Sequence, residues 1–598
     1  MSRLNSNENR LRQRIATLTK QSETLSSWRV GLFLFFAAYG LVSGQYAPSA
    51  WFQGPTVLGF AIFGWLIFVQ DRVTQTLDLF QKRYALAERA RALSVLDWAK
   101  IPQLPPVPEH LRFPRYFSDL DLLTGHAVLR LINQTVSTSG FRKLLGVFDS
   151  NGVTAAEVDR RQQVTKEAAR LRVLRRRFFV VEAQWSGHIE SDRILEMLES
   201  PLHTDKAFFH FLVVTSVQLT GLALFAFFAV FGGKPFFLFC ALALVVAYRL
   251  AARHVKILQA YSYGMSLDVS LGKFAALALV LERMSSTSGP HLQALLAPFS
   301  KARNPRATLA RASRVVGFLG VRQNYILHLI VNLLVPWDFY WTLRLEKIRK
   351  ETKARLPEWL ETLSDVEVAL SLAEFQVAHP DYVWPEISDT PAFSLRVQNV
   401  AHPLLPPETR IGNDLELNPR DRCVLITGSN MSGKSTFLRS LGVNLLLAKA
   451  GTVVCAKAFQ AKSLDLATSL RLGDSLEDGL SSFYAEVKQL KNVLDKAQAG
   501  VALLYLIDEV FRGTNNRERL IGSQAFVKHL AQTQACGLIT THDLELATLA
   551  NSNPGIRNAH FKEDIEGDKM SFSYRLAAGP CPTTNALRVM KLAGLPVD

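Results

Sequence analysis

Hydrophobic positions divide the chain into long apolar runs, polar helical stretches and a C-terminal part with short buried strands. Two uncharged, aromatic-rich runs cover 30–47 and 51–69, and a second pair covers 208–231 and 235–247. Most of these runs approach the ~20 residues that a helix needs to cross the hydrocarbon of a bilayer. The pattern therefore predicts four transmembrane helices in two hairpins. The alternative is that they are buried helices of a large soluble core.

Basic residues beside these runs predict the orientation of the hairpins. They are Arg29, Arg72, Lys82, Arg83, Arg175, Arg176, Arg177, Arg249, Arg253 and Lys256. The loop inside each hairpin carries almost no charge. Since positively charged flanks stay in the cytoplasm, we expect a multi-pass protein of the cell membrane with both termini and the C-terminal domain in the cytoplasm. The first apolar run has no cleavage pattern after it, which argues against a removed signal peptide.

The remaining N-terminal part has helical periodicity. Apolar residues recur at three- and four-residue intervals over 72–205, with a proline-rich linker at 102–108. The apolar run 325–341 contains ionisable residues, which favours a buried or interfacial helix over a fifth span. The next run, 344–374, alternates acidic and basic residues beside apolar ones. That alternation predicts a solvated amphipathic helix.

The amino-acid composition indicates a membrane protein in a reducing compartment. The 598-residue chain has a formal net charge of +16, a pI near 9.6 and a mean hydropathy of +0.11. The charge indicates anionic partners, but the high hydropathy points to a membrane before nucleic acid. Five cysteines are scattered without disulfide or metal-ligand spacing, which indicates a reducing compartment and no zinc site.

The candidate chemistry begins after a buried strand at 424–427. The next residues form a complete G-x-x-x-x-G-K-[ST] phosphate loop. Its glycines let backbone N–H groups point inward, and the following helix adds the positive end of its dipole. We expect Lys434 to reach the β- and γ-phosphates of a triphosphate and Ser435 to bind Mg²⁺. The predicted phosphate-binding residues are Gly428, Ser429, Asn430, Met431, Ser432, Gly433, Lys434, Ser435 and Thr436.

A second apolar run, 503–507, ends in the carboxylates of Asp508 and Glu509. It is typical of a buried parallel strand, and open α/β sheets bind ligands at the carboxyl ends of such strands. We expect Asp508 to complete the magnesium site and Glu509 to activate the attacking water. A glycine-rich turn and an acidic strand end could also coincide by chance, but their order and their positions at strand ends argue against this.

Several motifs resemble those of the MutS family of ATPases. Residues 472–486 resemble its signature loop, and the phosphate loop has the Asn-Met centre of the MutS version. Residues 508–514 read Asp-Glu-Val-Phe-Arg-Gly-Thr and resemble the family's Asp-Glu-x-x-Arg-Gly-Thr, while 540–546 resemble its Thr-His switch. Upstream, 120–148 resemble the helical core of MutS and 356–375 its returning lever.

The resemblance implies a fold, an activity and further site residues. It implies a C-terminal α/β P-loop ATPase domain preceded by an all-α, MutS-core-like helical region, with ATP and Mg²⁺ as cofactors. His542 would sense the γ-phosphate as part of a catalytic set with Lys434 and Glu509. Ser481 would cap the nucleotide of a partner subunit, because sites in this family are completed across a dimer. Ile411 and Tyr574 occupy the positions that hold adenine.

Hydropathy and resemblance together predict the domain organisation. The segments are a basic cytoplasmic N-terminal segment at 1–27, a transmembrane hairpin at 28–71, a MutS-core-like helical region at 72–205, a second transmembrane hairpin at 206–252, a lever-like helical region at 253–383 and the ATPase domain at 384–598. A Phe-x-Glu mismatch wedge does not precede the helical core. We therefore expect a membrane-anchored variant that lacks the mismatch-recognition domain.

The predicted function is a membrane-anchored ATPase that forms a homodimer and acts on DNA, such as a branched or repair intermediate. Candidate phosphate contacts are Arg172, Arg175, Arg176 and Arg177, although the same cluster would suit an anchor to anionic lipid. The alternatives are an ATP-driven membrane transporter or remodeller and an ATP-switched membrane scaffold. A transporter is disfavoured because the apolar runs lack the ionisable residues that line substrate paths.

Overall fold

A computed structural model describes most of the chain in two compact units. The residues outside the description are 1, 47–49, 109–110, 150, 186, 200–206, 232–256, 304, 324–326, 329–330, 333–334, 336, 390–393, 430–431, 472–481, 513–514, 567–568 and 583–598. The first unit contains Met1–Ile101 and Arg176–Gly187, and the second contains Pro102–Arg175 and His188–Asp598.

Two long antiparallel helices dominate the first unit. They are α1 (Ser2–Tyr46) and α2 (Ala50–Val95). Near the polar end of the pair, Arg12 Nε donates to Tyr84 Oη over 2.8 Å. Near the apolar end, a Cβ added to Gly59 would lie 2.2 Å from the Phe36 ring, so this glycine permits close approach of the helices. The apolar halves of both helices therefore lie together, and α2 continues through the domain boundary predicted at residue 71.

The structure contains the first predicted pair of long apolar helices but does not support four transmembrane helices. Within the described part of the chain, two segments are long and apolar enough to cross a membrane, Glu8–Val42 and Gly54–Val95. Only 0% and 11% of their apolar windows are buried, so neither is a core helix. The third predicted span lies in a helix at Ala207–Phe231, and the fourth, at 235–247, is outside the described residues.

Helices also form the chain between this hairpin and the first strand. They are α3 (Tyr116–Asp119), α4 (Val128–Ile132), α5 (Thr138–Phe148), α6 (Ala155–Arg170), α7 (Arg172–Ala183), α8 (Ser191–Glu199), α9 (Ala207–Phe231), α10 (Ile257–Thr287), α11 (Pro290–Leu295), α12 (Pro305–Leu319), α13 (Trp337–Thr352) and α14 (Leu356–Ala378). The run 325–341 is described only in part. Within the second unit, α5 and α6 pack against α14, which forms the centre of the helical region.

The prediction of one solvated helix over 344–374 is wrong. The run forms α13 and α14, and most residues of α14 are buried, including Trp359 and Leu363. Acidic residues of α14 have partners on other elements: Glu374 pairs with Arg175, and Glu367 accepts hydrogen bonds from the chain before α5. The alternation of charges along one helix does not reveal such partners, and this is why it predicted a solvated face.

The prediction that Arg175 contacts DNA or anionic lipid is also wrong. Its side chain is 3% exposed, and it pairs with Glu374. Its guanidinium also donates to the carbonyl of Ala168 over 3.2 Å. Because these internal partners occupy the side chain, Arg175 is not a contact for DNA or lipid. Arg172, in contrast, is exposed.

The C-terminal part contains two sheets with helices between their strands. The elements are β1 (Glu386–Ser388), β2 (Leu395–Val400), β3 (Asn413–Leu417), β4 (Cys423–Thr427), α15 (Lys434–Ala450), β5 (Ala458–Lys462), β6 (Asp465–Ser469), α16 (Ser482–Gln498), β7 (Leu503–Asp508), α17 (Asn516–Ala531), β8 (Cys536–Thr541), α18 (Leu544–Ala547), β9 (Ile556–Glu566) and β10 (Lys569–Ala578). The larger sheet has the order β10-β9-β4-β8-β7-β6, and the smaller has the order β1-β5-β2-β3.

The larger sheet is parallel except at one edge. Strands β9, β4, β8, β7 and β6 run parallel, and β10 pairs antiparallel with β9. Every residue of β4 and β8 is buried. Runs of apolar residues suit such strands because both faces of a parallel sheet are covered. This arrangement agrees with the α/β class predicted for the C-terminal part.

A buried carboxylate joins α14 to the start of α5. Glu367 Oε2 accepts hydrogen bonds from the backbone N–H groups of Val136 and Ser137, both at 3.1 Å, and from Ser137 Oγ at 2.9 Å. These donors and the charge of Lys273 favour the ionised form, but complete burial outweighs them. Burial thus raises the pKa of Glu367 from 4.5 to about 7.

We predict that this carboxyl group makes the helical region less stable as pH rises from 4.5 to about 7. In that window the unfolded chain has released the proton while the folded chain keeps it, so the free energy of unfolding falls, by about 3 kcal/mol in total. Glu367→Gln should abolish this slope, whereas Glu361→Gln, at an exposed position on α14, should retain it. Urea unfolding in detergent between pH 4.5 and 8 measures the slope, and equal slopes in the two variants would contradict the assignment.

Candidate nucleotide-binding site

Three neighbouring parallel strands bring the predicted site residues to one edge of the larger sheet. Strand β8 lies between β4 and β7, and its residue Thr540 is in register with Ile426 on one side and Asp508 on the other. The phosphate loop follows β4, Glu509 follows β7 and His542 follows β8. Side chains from distant parts of the sequence therefore meet at the carboxyl ends of these strands, as in other open α/β sheets.

The first residues of the phosphate loop contact the Lys434 ammonium group. Gly428 and Gly433 have φ values of 145° and 104°, which only glycine adopts readily. Lys434 begins α15, is 5% exposed, and donates from Nζ to the carbonyls of Gly428 and Ser429 at 2.7 and 2.5 Å. The ammonium group thus lies against the start of the loop, and its contact with the phosphates stays a prediction. Asn430 and Met431 are outside the described residues.

Oxygen atoms of Ser435, Asp508 and Thr540 form a connected group. Ser435 Oγ donates to Asp508 Oδ2 over 2.7 Å, and Thr540 Oγ1 donates to Asp508 Oδ1. The predicted magnesium ligands, Ser435 and Asp508, are therefore adjacent. One carboxylate and one hydroxyl suit Mg²⁺, which prefers oxygen ligands and takes few of them from protein.

Glu509 is held in an unusual backbone conformation beside Asp508. Its φ is 62°, and its N–H donates to the Thr540 carbonyl over 3.2 Å and to Thr540 Oγ1 over 3.1 Å. Its carboxylate accepts from His542 Nε2 at 2.7 Å and forms an ion pair with Arg512, whose Nε lies 3.2 Å away. The hydrogen bond from His542, followed by the charges of His542 and Arg512, lowers the pKa of Glu509 despite partial burial. Glu509 is therefore ionised near neutral pH and can accept a proton.

Two residues near Glu509 had no role assigned from the sequence. The guanidinium of Arg512 lies 3.2 Å from Asp508 Oδ2 as well as from Glu509. The backbone N–H of Arg512 donates to both oxygens of Glu486, at 3.2 and 3.1 Å. Arg512 belongs to the 508–514 motif and Glu486 ends the signature loop, so both motifs were recognised but this contact between them was not predicted.

One cavity of about 760 Å³ collects most of the predicted residues. Its lining includes Ser429, Gly433, Lys434, Ser435, Thr436, Asp508, Glu509, Ile411 and Tyr574, together with Leu405, Thr409 and Asn413. His542 instead lines a smaller neighbouring cavity that shares Glu509 with the larger one. Ser481 is outside the described residues, so its predicted role across a dimer stays a prediction.

Fold and site define a P-loop nucleotide-binding domain, and comparison with known proteins specifies its kind. Residues 424–598 match MutS domain V, a region that includes Lys434, Asp508 and His542. Endonuclease MutS2 from Thermomicrobium roseum is 31% identical over 276 residues, which are 43% of this chain and 34% of that protein. The chain thus covers about a third of this relative's length. Both matches support membership of the MutS family and agree with the resemblance found in the sequence.

Gly433 offers a test of the loop geometry. A Cβ at this position would lie 3.1 Å from Tyr574 Cδ1, and the φ of 104° disfavours any side chain. We expect Gly433→Ala to destabilise the C-terminal domain by about 1–2 kcal/mol. Gly146→Ala is the control, because Gly146 is an exposed position of α5 with open space around it. Protease resistance against urea concentration measures both, and equal resistance of the two variants would refute the proposed constraint.

Proposed function

We propose that this protein is a membrane-anchored MutS-like ATPase that binds and hydrolyses MgATP. In this proposal it works as a homodimer that rearranges with the nucleotide and acts on DNA without mismatch reading. One observation carries the ATPase part. The Lys434 ammonium, the Ser435–Asp508 oxygen pair and the ionised Glu509 carboxylate all face one cavity large enough for a nucleotide.

Binding of the triphosphate would depend on the phosphate loop and α15. Backbone N–H groups of a glycine-rich loop and the positive end of the helix attract phosphate. The Lys434 ammonium is 2.7 Å from the Gly428 carbonyl, at the start of the loop, and lines the same cavity as Ser429 and Gly433. Ser435 and Asp508 would hold Mg²⁺, which neutralises negative charge on the phosphates when bound.

Hydrolysis would use Glu509 as the general base. The carboxylate takes a proton from the attacking water, whose oxygen forms a bond to the γ-phosphorus while the bond to the bridging oxygen of ADP breaks. His542 holds the carboxylate by a hydrogen bond of 2.7 Å, and Arg512 holds it by an ion pair of 3.2 Å. They also keep its pKa low, so that the carboxylate is available as a base at neutral pH.

The homodimer and the DNA partner rest on the family match and on charge. MutS domain V matches the part of the chain that contains the site, and the resemblance implies that Ser481 completes the site of a second subunit. The formal net charge of +16 suits an anionic partner. Within the cluster Arg172, Arg175, Arg176 and Arg177, Arg175 is excluded as a DNA contact because its side chain is buried and paired with Glu374.

Two substitutions at the site test the ATPase proposal. We expect Lys434→Ala to abolish MgATP binding and Glu509→Gln to bind MgATP but hydrolyse it about 100-fold or more slowly, because the general base is lost. Phosphate release and equilibrium binding by purified protein in detergent measure these effects, with exposed Lys528→Ala and Glu545→Gln as controls. Hydrolysis by Glu509→Gln at the parental rate would exclude Glu509 as the base.

The same assay tests DNA as the partner. If neither duplex nor branched DNA alters the rate of ATP hydrolysis, even at low salt, the result counts against DNA as the partner.

The membrane part of the proposal is supported by α1 and α2. Their apolar halves lie at the same end of the antiparallel pair and expose large side chains, among them Leu34 and Trp65, each 62% exposed. Basic residues such as Arg29 and Arg72 stand where the apolar halves end. Since positively charged flanks stay in the cytoplasm, the hairpin would enter the membrane from the cytoplasmic side and leave the ATPase there.

Charges placed at the apolar end should release the protein from membranes. We expect the double change Leu34→Asp and Trp65→Asp to move most of the protein to the soluble fraction after alkaline extraction, since each buried charge costs about 3 kcal/mol in a bilayer. The control is Thr24→Asp with Thr74→Asp, at exposed positions of the polar halves. ATP hydrolysis in the released fraction checks folding. Extraction of the unchanged protein without detergent would overturn the membrane proposal.

A further inference from the structure

The edge strand β10 contains an irregularity beside the nucleotide cavity. Its pairing with β9 shifts between Phe572 and Leu576, where β10 has extra residues relative to its neighbour. Tyr574 lies at the centre of this bulge with a φ of 51°. A bulge leaves backbone groups without ladder partners, and a positive φ is unfavourable for tyrosine. Something outside the β9–β10 ladder must therefore hold this segment.

The carboxamide of Asn413 supplies those missing partners. Its Nδ2 donates to the Tyr574 carbonyl over 3.0 Å, and its Oδ1 accepts from the Leu576 N–H at 2.8 Å. Asn413 is the first residue of β3, is 8% exposed and lines the cavity. One buried side chain thus pairs a carbonyl and an N–H that stand two residues apart on β10.

The bulge determines where the Tyr574 ring lies. The ring Cδ1 is 3.1 Å from the position of a Cβ at Gly433, so the ring packs against the phosphate loop. Ile411, two residues before Asn413, lines the same cavity as Tyr574. The segment that carries Asn413 therefore contributes Ile411 to the cavity wall directly. It also holds Tyr574, on another part of the wall, through the Asn413 carboxamide.

We infer that Asn413 is a positioning residue for nucleotide binding: its carboxamide holds the bulge of β10 so that the Tyr574 ring forms a wall of the cavity for the base. The inference rests on the proposed function, because it takes ATP as the ligand. Asn413 itself acts through Tyr574 and contributes no contact to the phosphates. It should affect the affinity for the base and leave the affinity for the triphosphate unchanged.

The chemistry of the side chain explains why asparagine suits this position. A carboxamide offers an acceptor and a donor side by side, which match a backbone N–H and carbonyl. Aspartate has the same shape and keeps the acceptor, but it loses the donor and turns a second oxygen toward the Tyr574 carbonyl. Alanine loses both hydrogen bonds and leaves two partly buried backbone groups without these partners.

Two ligands separate base recognition from phosphate recognition. Equilibrium binding of MgATP and of magnesium tripolyphosphate is measured with the full chain in detergent. We expect Asn413→Ala to weaken MgATP binding about tenfold, the usual scale of one lost base–aromatic stack, and to leave tripolyphosphate binding unchanged. Asn558→Ala is the matched control, since its carboxamide also bonds a backbone carbonyl, that of Ala547, but does not line the cavity.

A double substitution tests whether Asn413 acts through Tyr574. Tyr574→Gly removes the ring and tolerates the positive φ, so Asn413→Ala should weaken MgATP binding no further in that background. Additive losses, or equal losses of MgATP and tripolyphosphate, would overturn the positioning role. So would unchanged MgATP binding by Asn413→Ala. Failure of the parental protein to bind MgATP would instead refute the proposed function, and the two failures are thereby distinguished.

Discussion

The parallel order of β4, β8 and β7 is the constraint on which the site depends. It places Asp508 beside Thr540, and Thr540 in turn fixes both the Asp508 carboxylate and the backbone of Glu509. Because the strands are buried on both faces, a shift in their register would disrupt close packing on both sides of the sheet. The position of the Glu509 backbone is thereby determined by the packing of a hydrophobic sheet, and the loops add further side chains of the site.

Buried or partly buried carboxylates recur as the joints between elements of the second unit. Glu367 connects α14 to the start of α5. Asp119 of α3 accepts from Thr468 Oγ1 at 2.6 Å and from the Leu470 N–H at 3.1 Å, directly after β6. Asp121 pairs with Arg439 of α15. Such groups are costly to bury unless they are paired, so they fix how the elements of this unit join more specifically than apolar contacts would.

The chain separates its charged and apolar surfaces along α1 and α2. Each helix is apolar over one half and rich in charge over the other, and the antiparallel pairing brings like halves together. Part of the positive charge of the protein lies in this hairpin, and part, as at Arg175, is neutralised in the interior. Net charge alone therefore overstates the surface that is free to meet an anionic partner.

The sequence by itself determined the phosphate loop, the strand that ends in Asp508 and Glu509, and the first apolar hairpin, because each depends on residues close together in the chain. It also pointed to Ile411 and Tyr574, but only through resemblance. Tertiary structure alone decided that α14 is buried, that Arg175 is paired, that Arg512 meets Glu486, and that Asn413 holds Tyr574. These features join residues far apart in sequence, and periodicity along one segment carries no information about partners on another.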